Sequence, residues 1–173
     1  MQNFSNESVN IHDLPKFEAV NYHHLNPKYR IVILFNLAIF LIILIAVPTI
    51  VFLIKGDVIS QRIWLIIGFV IPIIFGIVTL FSLLSFKNRG YAFRNHDVLF
   101  KSGVISSNII IIPYNRVQHI AVHQGFISRY LGLATVEIFT AGGNGSDLSI
   151  PGLEQEEAEK IKQLVMSKLN IEI

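Results

Sequence analysis

Two stretches of the chain are continuously apolar. Ile31–Ile54 and Ile63–Phe86 contain no charged side chain, and Asn36 is the one strongly polar residue of the first. At about 1.5 Å per residue each would reach about 36 Å as a helix, more than the roughly 30 Å hydrocarbon core of a bilayer. Neither has a polar face for water, and in lipid a helix satisfies its own backbone, so both are expected to span a membrane. Pro48 and Pro72 fall inside them and are tolerated there as kink sites. The first run follows thirty polar-rich residues and is too long for the apolar region of a secretion signal. The short link Lys55–Arg62 can only turn the chain back, so the spans form a hairpin with both termini on one side.

The remainder changes period. Gly90–Arg94 and Val98–Lys101 read as short strands around an Asn95-His96-Asp97 turn, and Val104–Ile112 as a longer β-branched strand ended by Pro113. Arg116–Gln124 alternates, with Gln118, Ile120, Val122 and Gln124 on one face and Ile120 and Val122 toward the core. Leu133–Thr140 alternates again, placing Ala134, Val136 and Ile138 inside and Thr135, Glu137 and Phe139 outside. After the loop Ala141–Ser146, Asp147–Ile150 forms a last strand, stopped by Pro151-Gly152. Ala158, Ile161, Leu164, Val165 and Leu169 then recur at helical spacing, so 153–169 is expected to be an amphipathic helix whose stripe, Leu164 included, covers the sheet. Glu154, Glu156 and Glu157 near its start and Lys168 near its end suit the helix dipole. The expected fold is α+β: two transmembrane helices (31–54 and 63–86) between an N-terminal segment (1–30) and an antiparallel β-barrel or sandwich capped by a C-terminal helix (87–173). Phe126, Ile127, Tyr130 and Leu131 are expected on one turn of helix that sinks them into the barrel mouth or, as the alternative, into a partner.

Composition agrees with a membrane protein. The chain of 173 residues is 52% hydrophobic and 15% charged, against about 25% charged in soluble proteins. A formal net charge of +2, spread along the chain, gives no reason to expect nucleic acid. With no cysteine, disulfides, thiol catalysis and cysteine-based metal sites are excluded. Lys16, Lys28, Arg30, Lys87, Arg89 and Arg94 flank the spans on the terminal side, against Lys55 and Arg62 in the loop. The positive-inside rule puts both termini in the cytoplasm. Tyr29 and Trp64 sit near the span ends, either as interfacial anchors or as ordinary lipid-facing or packing aromatics, and Asn36 is expected to bond its own helix backbone, with a neighbouring helix or another subunit as the alternative.

Motif chemistry is sparse. Zinc-protease, phosphate-loop and nucleophile-elbow patterns are absent from the sequence. His119 and His123, four residues apart on a strand, are about 13 Å apart, too far to share a metal. His23-His24 reads as a solvated pair beside the membrane. Asn3-Phe4-Ser5, Asn6-Glu7-Ser8 and Asn144-Gly145-Ser146 match glycosylation sequons, irrelevant at a cytoplasmic location. No catalytic, cofactor or metal site is expected. Only Lys87-Asn88-Arg89 separates the second span from the first strand, so the domain is held close to the bilayer. Lys87, Arg89, Arg94 and Lys101 are the expected contacts to anionic lipid headgroups, and Arg116 and Arg129 the expected contacts to a protein partner.

Several segments carry a family resemblance: Gly103-Val104-Ile105, Ile112-Pro113-Tyr114-Asn115-Arg116-Val117-Gln118, Gln124-Gly125-Phe126, Arg129-Tyr130-Leu131-Gly132-Leu133, Thr140-Ala141-Gly142-Gly143 and Pro151-Gly152-Leu153. With Leu25–Arg30 before the first span, they resemble the bacterial pleckstrin-homology-like family of membrane proteins over roughly 25–169. The resemblance implies a curved antiparallel sheet with a C-terminal helical cap, no established catalytic residue and no agreed ligand. The expected function is a membrane-tethered, non-enzymatic binding or assembly module at the cytoplasmic face of a bacterial cell membrane, working with a protein partner such as a paralogous membrane protein. The alternatives are an accessory subunit of a transporter or envelope-stress system and, behind it, a small membrane enzyme.

Overall fold

Both apolar runs are helical from end to end. In the computed structural model, which describes residues 20–56, 60–141 and 147–169, α1 is Tyr29–Lys55 and α2 is Gln61–Asn88. Each runs through its proline, and almost none of either is buried within the chain. That exposure belongs to helices solvated by lipid, because side chains such as Leu53 and Phe69 would otherwise face water. Aromatic contacts join the helices at both ends. Tyr29 and Phe86 rings lie 6.3 Å apart, with the Arg30 guanidinium 5.2 Å from the Phe86 ring. At the loop end Phe52 meets Trp64 edge-on at 5.0 Å. The expected terminal aromatics therefore hold the hairpin together. The sequons and the loop positions 142–146 lie outside the described residues.

Antiparallel strands follow. The first sheet contains β1 (His23–His24), β2 (Gly90–Phe93), β3 (Asp97–Ser102) and β4 (Asn108–Pro113), in that order. The second contains β5 (Val117–His123), β6 (Leu133–Thr140) and β7 (Leu148–Glu154). A 3-10 turn, Tyr114–Arg116, leads from one sheet to the other, and a short helix α3 (Phe126–Tyr130) joins β5 to β6. The sheets face each other as a sandwich; they do not close into a barrel. α4 (Gln155–Leu169) caps them with Ala158, Ile161 and Val165 buried. The core is continuous, running from Val98 and Ile112 in one sheet through Val136, Ile138 and Ile150 in the other, and reaching Leu25 and Phe86 at the membrane end.

Five local expectations are corrected. Leu164 is 40% exposed, whereas Val165 is fully buried. At 100° per residue Leu164 lies about 90° from the centre of the stripe that Ala158, Ile161 and Val165 define. The fourth strand begins at Asn108, because Gly103 turns the chain at φ +118° and releases Val104 and Ile105 from the ladder. A bulge falls between Val117 and His119, so Gln118 is the extra residue and leaves the Ile120 face; Val117 is buried instead. The last strand does not stop at Pro151-Gly152. Between the pairs Ala134–Leu153 and Val136–Ile150, these two residues oppose Thr135 alone. A bulge accommodates a proline without an N–H and a glycine at φ +69°. Finally, Phe126 and Tyr130 are 88% and 89% exposed, so α3 does not plug the domain with them; its buried member is Ser128.

Two buried phenols give the domain an alkaline limit. Tyr91 donates to Glu157 Oε1 at 2.5 Å, tying β2 to α4, and Tyr114 donates to the Arg94 carbonyl oxygen at 2.9 Å. Burial, reinforced by the Glu157 hydrogen bond and charge, holds the Tyr91 phenol far above its ordinary value. Burial, then the Asp97 charge, pushes Tyr114 up to about 12. Both folded values exceed the unfolded value of about 10, so the unfolded chain loses these protons first. Stability from this source is complete below about pH 10 and is lost as the pH rises through the folded values. The urea midpoint of the domain is expected to fall between about pH 9 and pH 11, and Tyr114→Phe should flatten part of that fall.

Candidate membrane-facing cleft

The pre-membrane segment is part of the domain. His23 and His24 pair with Tyr91 and Gly90, and the His23 ring stacks on Tyr91 at 5.8 Å. The backbone N–H of Asn26 donates to Gly152 O at 2.9 Å, and its side-chain amide donates to Glu154 Oε1 at 2.9 Å. The histidines therefore serve as an edge strand beside the membrane. A two-residue strand has no periodicity to betray it in a sequence. Gly90 was the available signal, since a Cβ there would lie 3.0 Å from that of Tyr22.

This extra strand walls a cleft of about 570 Å³ where α2 passes into β2. Lys87 and Arg89 enter it from the end of α2 and the link. Lys101 is brought there by register, opposite Gly90. Tyr22 and His24 form the far wall, and the Lys101 ammonium lies 5.7 Å from the Tyr22 ring centroid. The loop after β3 is fastened to α2 by the Asn88 amide, which donates to Gly103 O at 3.1 Å. Three cations converge, and no carboxylate is among the described lining. Such a lining attracts phosphate-bearing groups through Coulomb forces that water and salt weaken.

The other candidate residues lie elsewhere. Arg94 is at the opposite end of the β2–β3 hairpin, about 13 Å along the strand from Gly90. Its guanidinium is held by Asp97, with Nε to Oδ1 at 2.6 Å. Arg94 therefore leaves the group of cations nearest the membrane. Arg116 and Arg129 are both exposed, but Arg116 ends the 3-10 turn before β5 and Arg129 lies on α3 beyond the other end of that strand, which is about 23 Å long. They do not make one surface. His119 stacks on Phe139 at 4.1 Å, and no group of three His, Asp or Glu suited to a metal occurs among the described residues. Asn36 makes no bond to its own helix. It faces a second cleft, about 660 Å³, between α1 and α2, with Ser82, Ser85 and Arg89.

Two lipid-exposed helices tied closely to a two-sheet, helix-capped domain define a membrane protein bearing a pleckstrin-homology-like domain. The chain belongs to the bacterial PH domain family, whose sequence model matches residues 30–169. It is also 34% identical over 91 residues to the UPF0699 transmembrane protein YdbS of Bacillus subtilis, an alignment covering 51% of this chain and 55% of that relative. The chain thus spans about half the length of the curated relative it matches. No solved structure matches it.

Proposed function

We propose that this membrane protein is a non-enzymatic binding and assembly module, presenting its PH-like domain at the cytoplasmic face of the bacterial cell membrane. The observation that carries the reading is the cleft of Lys87, Arg89 and Lys101, which faces the bilayer end of the domain and has no carboxylate in its described lining. Its ligand is the phosphate of an anionic lipid headgroup. The outer faces of the sandwich, with Arg116 and Arg129, remain for a protein partner such as a paralogous membrane protein.

Residues 20–30 complete the sheet, so the test uses the full chain in lipid nanodiscs. An environment-sensitive dye at Ser107→Cys, on the cleft wall, should shift when phosphatidylglycerol replaces phosphatidylcholine. The shift should shrink at high salt and vanish in Lys87→Glu/Lys101→Glu. Emission indifferent to lipid charge would overturn the lipid reading. For orientation, an impermeant thiol reagent on intact cells should label Ser60→Cys in the hairpin loop and spare Ser167→Cys on α4. The reverse pattern would invert the topology.

A further inference from the structure

Three large apolar side chains of the domain are almost fully exposed: Ile105 at 89%, Phe126 at 88% and Tyr130 at 89%. Among the described residues of the domain the next most exposed is Met166, at 47%. All three stand beside the ends of the membrane helices. Phe126 and Tyr130 are four residues apart on α3 and share one face, while Ser128 is buried on the other. α3 packs on β6 and approaches α1. Leu131 and Gly132, which end it, line a cleft with Lys28, the residue before α1 begins. Gly132 O also accepts from the Gln155 N–H at 3.1 Å, while Asn26 is bound to Gly152 and Glu154. The segment that enters the bilayer and the turn carrying Tyr130 are therefore fastened to the same end of the sandwich.

Ile105 stands beside the other helix. Its loop is bound to the last turn of α2 through Asn88 and Gly103 at 3.1 Å. The preceding residue, Val104, lines the cleft between the helices with Phe81, Ser85 and Arg89. One exposed site thus flanks the entry of α1 and the other the exit of α2, on loops from different sheets.

We infer that Ile105, Phe126 and Tyr130 insert into the headgroup layer of the bilayer that the hairpin spans, and seat the domain on it. The occupant follows from position: the two exposed sites lie beside Lys28, where α1 begins, and Asn88, where α2 ends, at the level where the chain leaves lipid. Tyrosine suits that layer, with an apolar ring and a hydroxyl for water or phosphate. A domain linked by three residues and seated on both sides of its hairpin is fixed in tilt as well as height. The seating is apolar and needs no anionic lipid, so it stands whether or not the cationic cleft binds one.

The chain has no cysteine, so single labels report cleanly. Cysteines replace Ile105, Phe126, Tyr130 or, as the reference, Met166 in the full chain. Each carries a small fluorophore in phosphatidylcholine discs doped with a lipid bearing a nitroxide near its headgroup. The first three labels should be quenched by the nitroxide lipid several-fold more than the label at 166, and be protected from iodide in the same ratio. A second arm keeps the label at Ser106→Cys and compares native wedges with Ile105→Ser/Phe126→Ser/Tyr130→Ser; nitroxide quenching should fall in the triple variant. Iodide access at 105 or at both α3 positions equal to that at 166 would overturn the two-sided seating. So would protection appearing only with two chains per disc, which would assign the cover to a second copy. Unchanged quenching at Ser106→Cys in the triple variant would show that the wedges do not hold the domain down.

Discussion

Val165→Asp is expected to unfold the extramembrane domain while leaving the helical hairpin in place. Val165 is fully buried against the sheets, and the core cluster around it is apolar. An aspartate there must either bury an unpaired charge or take up a proton at neutral pH, and both are costly. A loss of about 4 kcal/mol or more is at the severe end for a single substitution and comparable with the whole stability of many domains, about 5–15 kcal/mol. Leu164→Asp, one residue earlier, should cost about 1 kcal/mol or less, because its side chain is 40% exposed. Limited proteolysis of the full chain in nanodiscs separates the two. The Val165→Asp domain should be digested down to the protected helices, and the Leu164→Asp domain should resist like the parent. Equal resistance of both variants would contradict the docking of α4 described above.

Gly152→Ala is expected to destabilise the domain strongly and to loosen its hold on the pre-membrane segment. Gly152 has φ +69°, where a residue with a Cβ pays roughly 1–2 kcal/mol. A Cβ at this position would also lie 2.7 Å from Cγ and 2.8 Å from Cβ of Tyr29. Tyr29 has little room to retreat, since it opens α1 and packs toward Phe86 and the core. Together strain and collision should cost about 3 kcal/mol. They should also loosen the Asn26–Gly152 hydrogen bond that fastens the pre-membrane segment to β7. A double-mutant cycle with Tyr29→Ala isolates the collision. The substitutions should be coupled by about 1 kcal/mol or more, with the pair less unstable than the sum of the singles. Additive losses in urea unfolding would mean that the ring does not rest on the glycine. Hydrogen exchange at Asn26 should accelerate in Gly152→Ala and stay protected in a matched substitution at Gly125, where a Cβ meets nothing within 4 Å.

Much of the architecture was readable before any coordinates. The absence of charge across Ile31–Ile54 and Ile63–Phe86 leaves lipid as the only adequate solvent, and length makes each run a span. Alternation in Leu133–Thr140 places Ala134, Val136 and Ile138 in the core, and all three are buried. The terminal helix announced itself by a change of period. These features are written in local order, because solvent and backbone geometry act on neighbouring residues in the chain.

The errors share a different cause. Leu164 and Val165 are equally apolar, and the one that is buried was chosen by where the sheets lie, not by the helix that carries both. Pro151-Gly152 reads as a stop, yet the strand continues because the partner strand offers Thr135 alone across a bulge. Phe126 and Tyr130 look like plugs until the sandwich is found to be filled from its own faces. His23 and His24 carry no strand signal, and pairing with Tyr91 and Gly90 comes from an edge left open by a hairpin that begins 67 residues later. The cationic cleft is the same kind of fact: register sets Lys101 beside Lys87 and Arg89, while the same hairpin carries Arg94 to its far end and into the grip of Asp97. Solvent preference and period belong to single segments, so the spans, the strands and the capping helix could be read along the chain. Which side chains meet depends on register, bulges and the angle between packed elements, and those are settled only when segments distant in sequence compete for the same space.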